Sequence, residues 1–266
     1  MIIYYAVICA IVYFIQDRLL YHPRQMSIDE TMAAALRHGL TPWPANDAGY
    51  HGFVREPPGP TVEGTVIVFH GNAGTAIDRD FYGDALCALG FRVLLVEYPA
   101  YGARPGIVGE ESFVSSAKES IELAGERFGR PLYVMGESLG AAVGGVAAAN
   151  ANVEIDGVVA ITPWCNLPDL AQATYWYLPA KWLVRDQYDT LASLNLLGQR
   201  VAVCIAENDS IISAIHGEQL YESLTVEKRK WIFSGAGHNS WPTLPGDAWW
   251  AEVMKFLAMD KPQLLP

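Results

Sequence analysis

Positive charge is scarce in this chain. Lys and Arg total 18 against 29 Asp and Glu, a formal net charge of −11. A surface of that sign repels phosphate backbones, which argues against a nucleic-acid partner. It also disfavours adsorption to anionic headgroups, so any membrane contact must be apolar. Cysteine is sparse too. Cys9, Cys87, Cys165 and Cys204 form no Cys-x-x-Cys pair, and none has a histidine at metal-ligand spacing, so no metal site is expected. Cys9 lies in an apolar N-terminal run. The three cysteines left in the body are an odd number, which argues against a disulfide framework, and Cys204 reads as a buried strand residue. Internal repeats, low-complexity tracts and linkers are missing as well. The 266 residues therefore read as one core of a size common in α/β folds, needing no covalent staple.

The N-terminus lacks the marks of a cleaved signal peptide. No Lys or Arg precedes its apolar run, and no small-x-small cleavage site follows it. From Ile2 to Ile15 the run is almost wholly apolar, though shorter than the ~20 residues that cross a bilayer core. Tyrosines near both ends suit interfacial anchoring, and Arg18 can snorkel. Residues 1–21 are therefore expected to form an uncleaved membrane-anchor helix. The alternative is a helix packed on the body or on a partner chain. Arg18 and Arg24 follow the run beside Asp17 and Asp29, too even a balance to orient it.

Further along, short Val/Ile/Leu-rich runs alternate with helical stretches, the rhythm of a mostly parallel sheet with helices on both faces. The expected strands are 65–69, 92–97, 132–135, 157–161, 201–206 and 230–233. They lack clean alternation, as strands buried on both faces should. Expected helices are 75–89, 110–128, 138–150 and 248–259. The segment from about 163 to 197 breaks the rhythm. It carries Trp164, Tyr175, Trp176, Tyr177 and Trp182 and reads as one or two short helices over the strand ends, where α/β sheets place ligands. It is expected to be a small apolar lid, or else a crossover with a buried aromatic face.

Four segments carry chemistry. Gly136-Glu-Ser138-Leu-Gly140 follows a strand and opens a helix rich in Ala and Gly. That is the setting of a nucleophile elbow, whose sharp turn exposes the serine Oγ. His70-Gly71-Asn72-Ala73-Gly74 follows another strand, where a loop N–H can hold an oxyanion. Its donor is Asn72 or Ala73, with Leu139 as the second. His70 itself, ahead of the loop, is read as structural. Asp209 lies just past a strand's carboxyl end and can orient an imidazole, with Glu207 as the competing acid. His238, in a Gly-rich loop after the last strand, completes the order Ser…Asp…His.

The segments H-G-N-A-G, E-Y-P-A-Y-G-A-R-P-G, G-E-S-L-G, A-E-N-D-S-I-I and G-A-G-H-N resemble the α/β-hydrolase superfamily. They are similar in particular to its membrane-anchored bud-emergence-like branch, which includes protein depalmitoylases. The resemblance runs from about residue 19 to 258. It implies an α/β-hydrolase fold for 22–266 and triad roles for Ser138, Asp209 and His238. It also implies a loop at Tyr98–Gly102, with Tyr101, near the acyl site. Ala100 departs from the glycine often found there, which puts the shape of that loop in question.

The expected function is a serine hydrolase that cleaves carboxylic esters or thioesters through an acyl-enzyme, without cofactor or metal. Trp164, Tyr175, Trp176, Trp182 and Tyr101 are expected to line a pocket for an apolar, small-molecule or lipidated acyl group. The rivals are an amidase or peptidase of the same fold, a non-catalytic binding protein on a hydrolase scaffold, and a membrane-tethered scaffold. Oligomeric state and acyl length are open at this level.

Overall fold

The computed structural model describes residues 2–44, 49–244 and 246–259. Met1 and residues 260–266, the outer ends of the two expected domains, lie outside the described residues. Strands are β1 (His22–Pro23), β2 (Thr41–Trp43), β3 (Gly52–Arg55), β4 (Gly64–Phe69), β5 (Ala73–Gly74), β6 (Phe91–Val96), β7 (Leu132–Glu137), β8 (Gly157–Ile161), β9 (Val201–Ala206) and β10 (Lys228–Phe233). Helices are α1 (Ile2–Leu20), α2 (Ile28–Arg37), α3 (Asp80–Cys87), α4 (Glu110–Phe128), α5 (Leu139–Asn150), α6 (Leu167–Thr174), α7 (Ala180–Leu183), α8 (Thr190–Leu197), α9 (Ala214–Ser223) and α10 (Asp247–Ala258).

Eight strands form one sheet in the order β10-β9-β8-β7-β4-β6-β3-β2. From β10 to β6 all pairings are parallel, while β3 and β2 join antiparallel. The six expected strands are all present. The two antiparallel ones give no clear signal in the sequence, because they are short and Pro42 and Pro44 interrupt the pattern. The lack of alternation in the central strands has a direct cause. Successive side chains point to opposite faces, and both faces are covered. Ile67, Phe69, Leu94, Val134 and Val203 join one cluster with Phe113 and Ile121 of α4 and Val143 of α5. Val66, Val68, Val93, Met135 and Cys204 join a second with Tyr82 and Leu86 of α3 and Val253 and Leu257 of α10.

The chain leaves β4 for β6 on one side and returns to β7 on the other. This reversal opens a crevice beyond the carboxyl ends of β4 and β7, the usual ligand position in such sheets. Two expected elements differ in detail. The helix expected at 75–89 begins as a 3-10 turn, Ala76–Arg79, before α3. There the Asp78 carboxylate accepts from the Thr75 N–H at 2.8 Å and the Thr75 hydroxyl at 3.0 Å. The segment 163–197 holds three helices rather than one or two. Of these α8 belongs to the body, since Leu194 is fully buried and packs where a Cβ on Gly145 of α5 would stand 3.4 Å away. The part left over the strand ends is α6 and α7.

Candidate active site

Ser138 sits at the junction of β7 and α5 with φ 55° and ψ −121°, a positive-φ conformation that non-glycine residues rarely adopt. Its N–H donates to the Ile161 carbonyl at 2.8 Å, which ties the turn to the neighbouring strand. The glycines around it are there for space. A Cβ on Gly136 would lie 2.2 Å from the Gly140 oxygen, and a Cβ on Gly140 would lie 2.0 Å from the Phe69 oxygen. Strand, turn and helix approach too closely for any side chain.

His238 is carried by the loop after β10. Gly235 turns that loop with φ 76°. The loop is pinned by Asn208 N–H to the Ala236 carbonyl, 2.7 Å, and by Gly235 N–H to Glu207 Oε2, 2.8 Å. Glu207 thus holds the histidine's loop and does not touch the imidazole. Asp209 does. His238 Nδ1 lies 2.6 Å from Asp209 Oδ2, and His238 Nε2 lies 3.1 Å from Ser138 Oγ. The other carboxylate oxygen, Oδ1, accepts from the N–H groups of Ile211 and Ile212 at 2.9 and 2.8 Å. A buried carboxylate so placed takes a proton on Nδ1 as its donor, which leaves the Nε2 lone pair facing the serine hydroxyl. The tautomer follows from this network.

His70 is buried away from this line. Its Nδ1 donates to the Gly71 carbonyl at 2.8 Å, its Nε2 meets Glu97 Oε1 at 3.0 Å, and Glu97 Oε2 accepts from the Ala76 N–H at 3.1 Å. The Asn72 carbonyl accepts from Tyr101 Oη at 2.7 Å and from the His22 N–H at 3.1 Å. In a trans peptide the carbonyl and the following N–H point in opposite directions. With the carbonyls of Gly71 and Asn72 both held by the body, the N–H groups of Asn72 and Ala73 face the other way. Both residues, with Leu139, line the cavity above Ser138.

Glu137 has no role in the sequence reading, although it stands inside the Gly-x-Ser-x-Gly segment. It is buried and accepts from the Gly71 N–H at 3.2 Å, from Arg79 Nε at 2.5 Å and from Tyr82 Oη at 3.2 Å. Burial and the nearby Glu137 charge push the Tyr82 phenol well above its ordinary range, so it stays a donor. Glu137 therefore locks the His70–Gly74 loop to the serine turn. Its place beside the nucleophile could have flagged it, but its partners Tyr82 and Gly71 are 55 and 66 residues distant in sequence.

The cavity that opens at Ser138 and His238 has a volume of about 740 Å³, within the range of small-molecule sites. Leu167, Leu170, Tyr175 and Leu183 of the 163–197 segment form one wall, and Val12, Leu19 and Leu20 of α1 form another. Trp164 and Tyr175 line it. Tyr101, Trp176 and Trp182 do not. Tyr101 is buried behind the loop, which it holds through Asn72. Trp176 and Trp182 are 78% and 80% exposed and point outward. Trp176 lies in the turn between α6 and α7 and Trp182 on α7, and Leu170, Tyr175 and Leu183 take the side of this segment that faces the cavity. The end of α1 is joined to the site directly. Asn72 Nδ2 donates to the Leu20 carbonyl at 2.9 Å, and β1 pairs in parallel with β5, His22 opposite Ala73.

Residues 60–191 match the family described as serine aminopeptidase, S33. An uncharacterized protein of Mycobacterium tuberculosis is 31% identical over 196 residues, which cover 72% of this chain and 69% of that protein. Among solved structures, an esterase of Pyrococcus furiosus is similar with a TM-score of 0.64 at 18% identity, covering 90% of this chain and 97% of its own. A monoacylglycerol lipase of Paleococcus ferrophilus is similar with a TM-score of 0.55 at 21% identity, covering 77% and 98%. The strand order, the serine turn and these likenesses agree: the chain belongs to the α/β-hydrolase superfamily.

Proposed function

We propose that this protein is a serine hydrolase that cleaves carboxylic esters or thioesters bearing an apolar acyl group. The observation that carries this reading is the continuous line Asp209–His238–Ser138, at 2.6 and 3.1 Å, ending in the 740 Å³ cavity. Ser138 Oγ attacks the acyl carbonyl as His238 Nε2 takes its proton. Asp209 steadies the imidazolium, and its two backbone donors hold the carboxylate in place. The N–H of Leu139 and that of Asn72 or Ala73 receive the oxyanion. His238 then protonates the leaving group, and water, activated by the same imidazole, releases the acid.

The substrate class is supported by the cavity walls, whose exposed surface is mostly apolar, aliphatic and aromatic side chains together. The likeness to an esterase and a monoacylglycerol lipase points the same way, as does the resemblance of the motifs to the depalmitoylase-containing branch. Residues 22–266 are read as the catalytic domain, with its lid inside 163–197, and residues 1–21 as an apolar membrane anchor. A second reading has two specific supports. The matched family carries an aminopeptidase name, and Asp17, Asp78 and Asp186 line the cavity, where they could hold a substrate amine.

A fluorophosphonate probe tests the first reading. Covalent labelling of the parent at Ser138, absent in Ser138→Ala and His238→Ala, is expected. A folded parent that does not label would overturn it. Decanoyl p-nitrophenyl ester should turn over faster than the acetyl ester. Equal turnover would remove the apolar acyl site, and faster cleavage of aminoacyl anilides than of either ester would favour the second reading.

A further inference from the structure

The N-terminal helix holds an unexpected position. It is apolar over Ile3–Leu20 and long enough to cross a membrane, and that stretch is not buried in the body. Yet it does not project away from the body. Its partly covered residues, Cys9, Val12, Gln16, Asp17 and Leu20, recur at helical spacing and form a single stripe. Along that stripe it is fastened to the lid at both ends. Tyr5 Oη donates to the Tyr177 carbonyl at 3.0 Å. Eleven residues later, Gln16 Nε2 donates to the Leu183 carbonyl at 3.3 Å, and the Arg185 N–H donates to Gln16 Oε1 at 2.8 Å. Asp17 and Arg185 form an ion pair at the same place. At a rise of 1.5 Å per residue, the two attachments lie about 16 Å apart along the helix axis.

That spacing decides between two membrane geometries. An upright helix with Leu20 at the water boundary would carry Tyr5 about 22 Å deeper. The lid segment bonded to Tyr5 would go with it. That segment includes the irregular backbone around Tyr177, the Lys181–Asp169 ion pair at 2.6 Å, and the polar Gln172. Lipid-exposed irregular backbone does not occur in the hydrocarbon core, and a charged side chain at its centre costs about 2.5–3.5 kcal/mol or more. A helix lying flat has neither problem. The lid then rests at the headgroup level beside the helix, and its outward side chains are the kind found there. Trp176, Tyr177 and Trp182 are exposed on the lid, and Tyr4, Ile8, Ile11 and Phe14 are exposed on the helix fastened to it.

We propose that α1 lies in the plane of one leaflet rather than crossing it, and that α1 and the lid together form a single apolar face docked on the bilayer. The face rests on the anchor reading given above and sharpens it into an orientation. The occupant is the lipid surface itself. With a net charge of −11, the protein gains nothing from anionic headgroups, so apolar burial carries the attachment. The cavity runs between Val12 and Leu19 of the helix and Tyr175 and Leu183 of the lid. The seam between them leads from the docked face to Ser138, so an acyl chain can enter without passing through water.

The full chain, carrying an N-terminal epitope tag, is reconstituted in dioleoylphosphatidylcholine vesicles and treated with external protease. Tag and body are expected to be cleaved from the same side. A tag protected while the body is cleaved means a crossing helix and overturns the proposal. In the same vesicles, the Trp176→Ser/Trp182→Ser variant is expected to partition at least tenfold less. Partition of the parent should change less than twofold between 0.1 and 1 M NaCl, or when phosphatidylserine is added. Unchanged partition of the variant, or a salt-sensitive parent, overturns it, as does a parent that ignores vesicles and pairs with a second copy. Turnover of a soluble short-chain ester reads the hydrolase proposal separately. The variant should match the parent there, since neither tryptophan lines the cavity, and a parent inactive on that ester would refute the hydrolase reading while leaving the docking result intact.

Discussion

Asp209→Asn tests the proposed mechanism at its most constrained point, because every orientation of the new amide is frustrated. The two carboxylate oxygens have different duties. Oδ1 accepts two backbone N–H groups at 2.9 and 2.8 Å, and Oδ2 meets His238 Nδ1 at 2.6 Å. If the oxygen of the introduced amide faced the imidazole, its NH₂ would confront the N–H groups of Ile211 and Ile212, donors against donors. Leaving the buried Ile212 donor unmade costs about 1–3 kcal/mol, and the exposed Ile211 donor adds less. The amide therefore turns its oxygen to the backbone and its NH₂ to the ring. Nδ1 must then accept, the proton moves to Nε2, and Nε2–H faces Ser138 Oγ with no lone pair to take the serine proton. The general base is lost while the fold is kept. A loss of about 10⁴-fold in kcat follows, equal to about 5 kcal/mol of barrier. KM for a short p-nitrophenyl ester should barely move, since the acyl walls are untouched. Steady-state kinetics, with circular dichroism to show an intact fold, measures this. A variant within tenfold of the parent would refute the role given to Asp209.

Three further outcomes are expected. Gly140→Ala places a Cβ 2.0 Å from the Phe69 oxygen and 2.6 Å from the His70 oxygen. Relieving that overlap moves backbone by about 1 Å, enough to cost on the order of 100-fold in kcat and about 1–3 kcal/mol of stability; an unchanged melting temperature and rate would contradict the close approach. Ala100→Gly should stabilise, because Ala100 has φ 69°. Relief of about 1–2 kcal/mol of left-handed strain exceeds the roughly 0.4–1 kcal/mol of extra unfolded-chain freedom, and a fall in melting temperature would reverse the argument. Finally, burial pushes the Cys87 thiol up to about 11, and the Cys204 thiol higher still by the same cause. At pH 8 only about one Cys87 in a thousand is thiolate, rising about tenfold per pH unit. Iodoacetamide should therefore spare both until the protein is unfolded, and mass spectrometry showing native Cys204 alkylation would count against its burial.

Much of the fold is legible in the sequence because its signals are local. Val201–Ala206 has no alternation, and Leu139–Asn150 is mostly Ala and Gly, so a buried strand and a close-packed helix follow from composition. The 3-10 start before α3 is not legible, since it depends on Asp78 closing back on Thr75 rather than on periodicity. The aromatic residues of 163–197 are legible as a group but not individually. Trp164 and Tyr175 face the cavity, while Trp176 and Trp182 face outward; only Trp182 lies on a helix, of four residues, and the others sit in loops and turns, so no period distinguishes them.

The sequence by itself determined the elements that depend on near neighbours: the alternation of strand and helix, the tight serine turn that glycine spacing demands, and the order in which Ser138, Asp209 and His238 occur. Only the tertiary structure decided which side chains meet. Ser138 and His238 are 100 residues apart and Asp209 and His238 are 29 apart, so their line of contact exists only once the parallel sheet has brought three strand ends together. The same holds for Glu137 on the loop at Gly71, and for the apolar N-terminal helix. Its composition permits either a span or a surface helix. Its hydrogen bonds to Asn72, Tyr177, Leu183 and Arg185 are long-range contacts, and these place it beside the cavity.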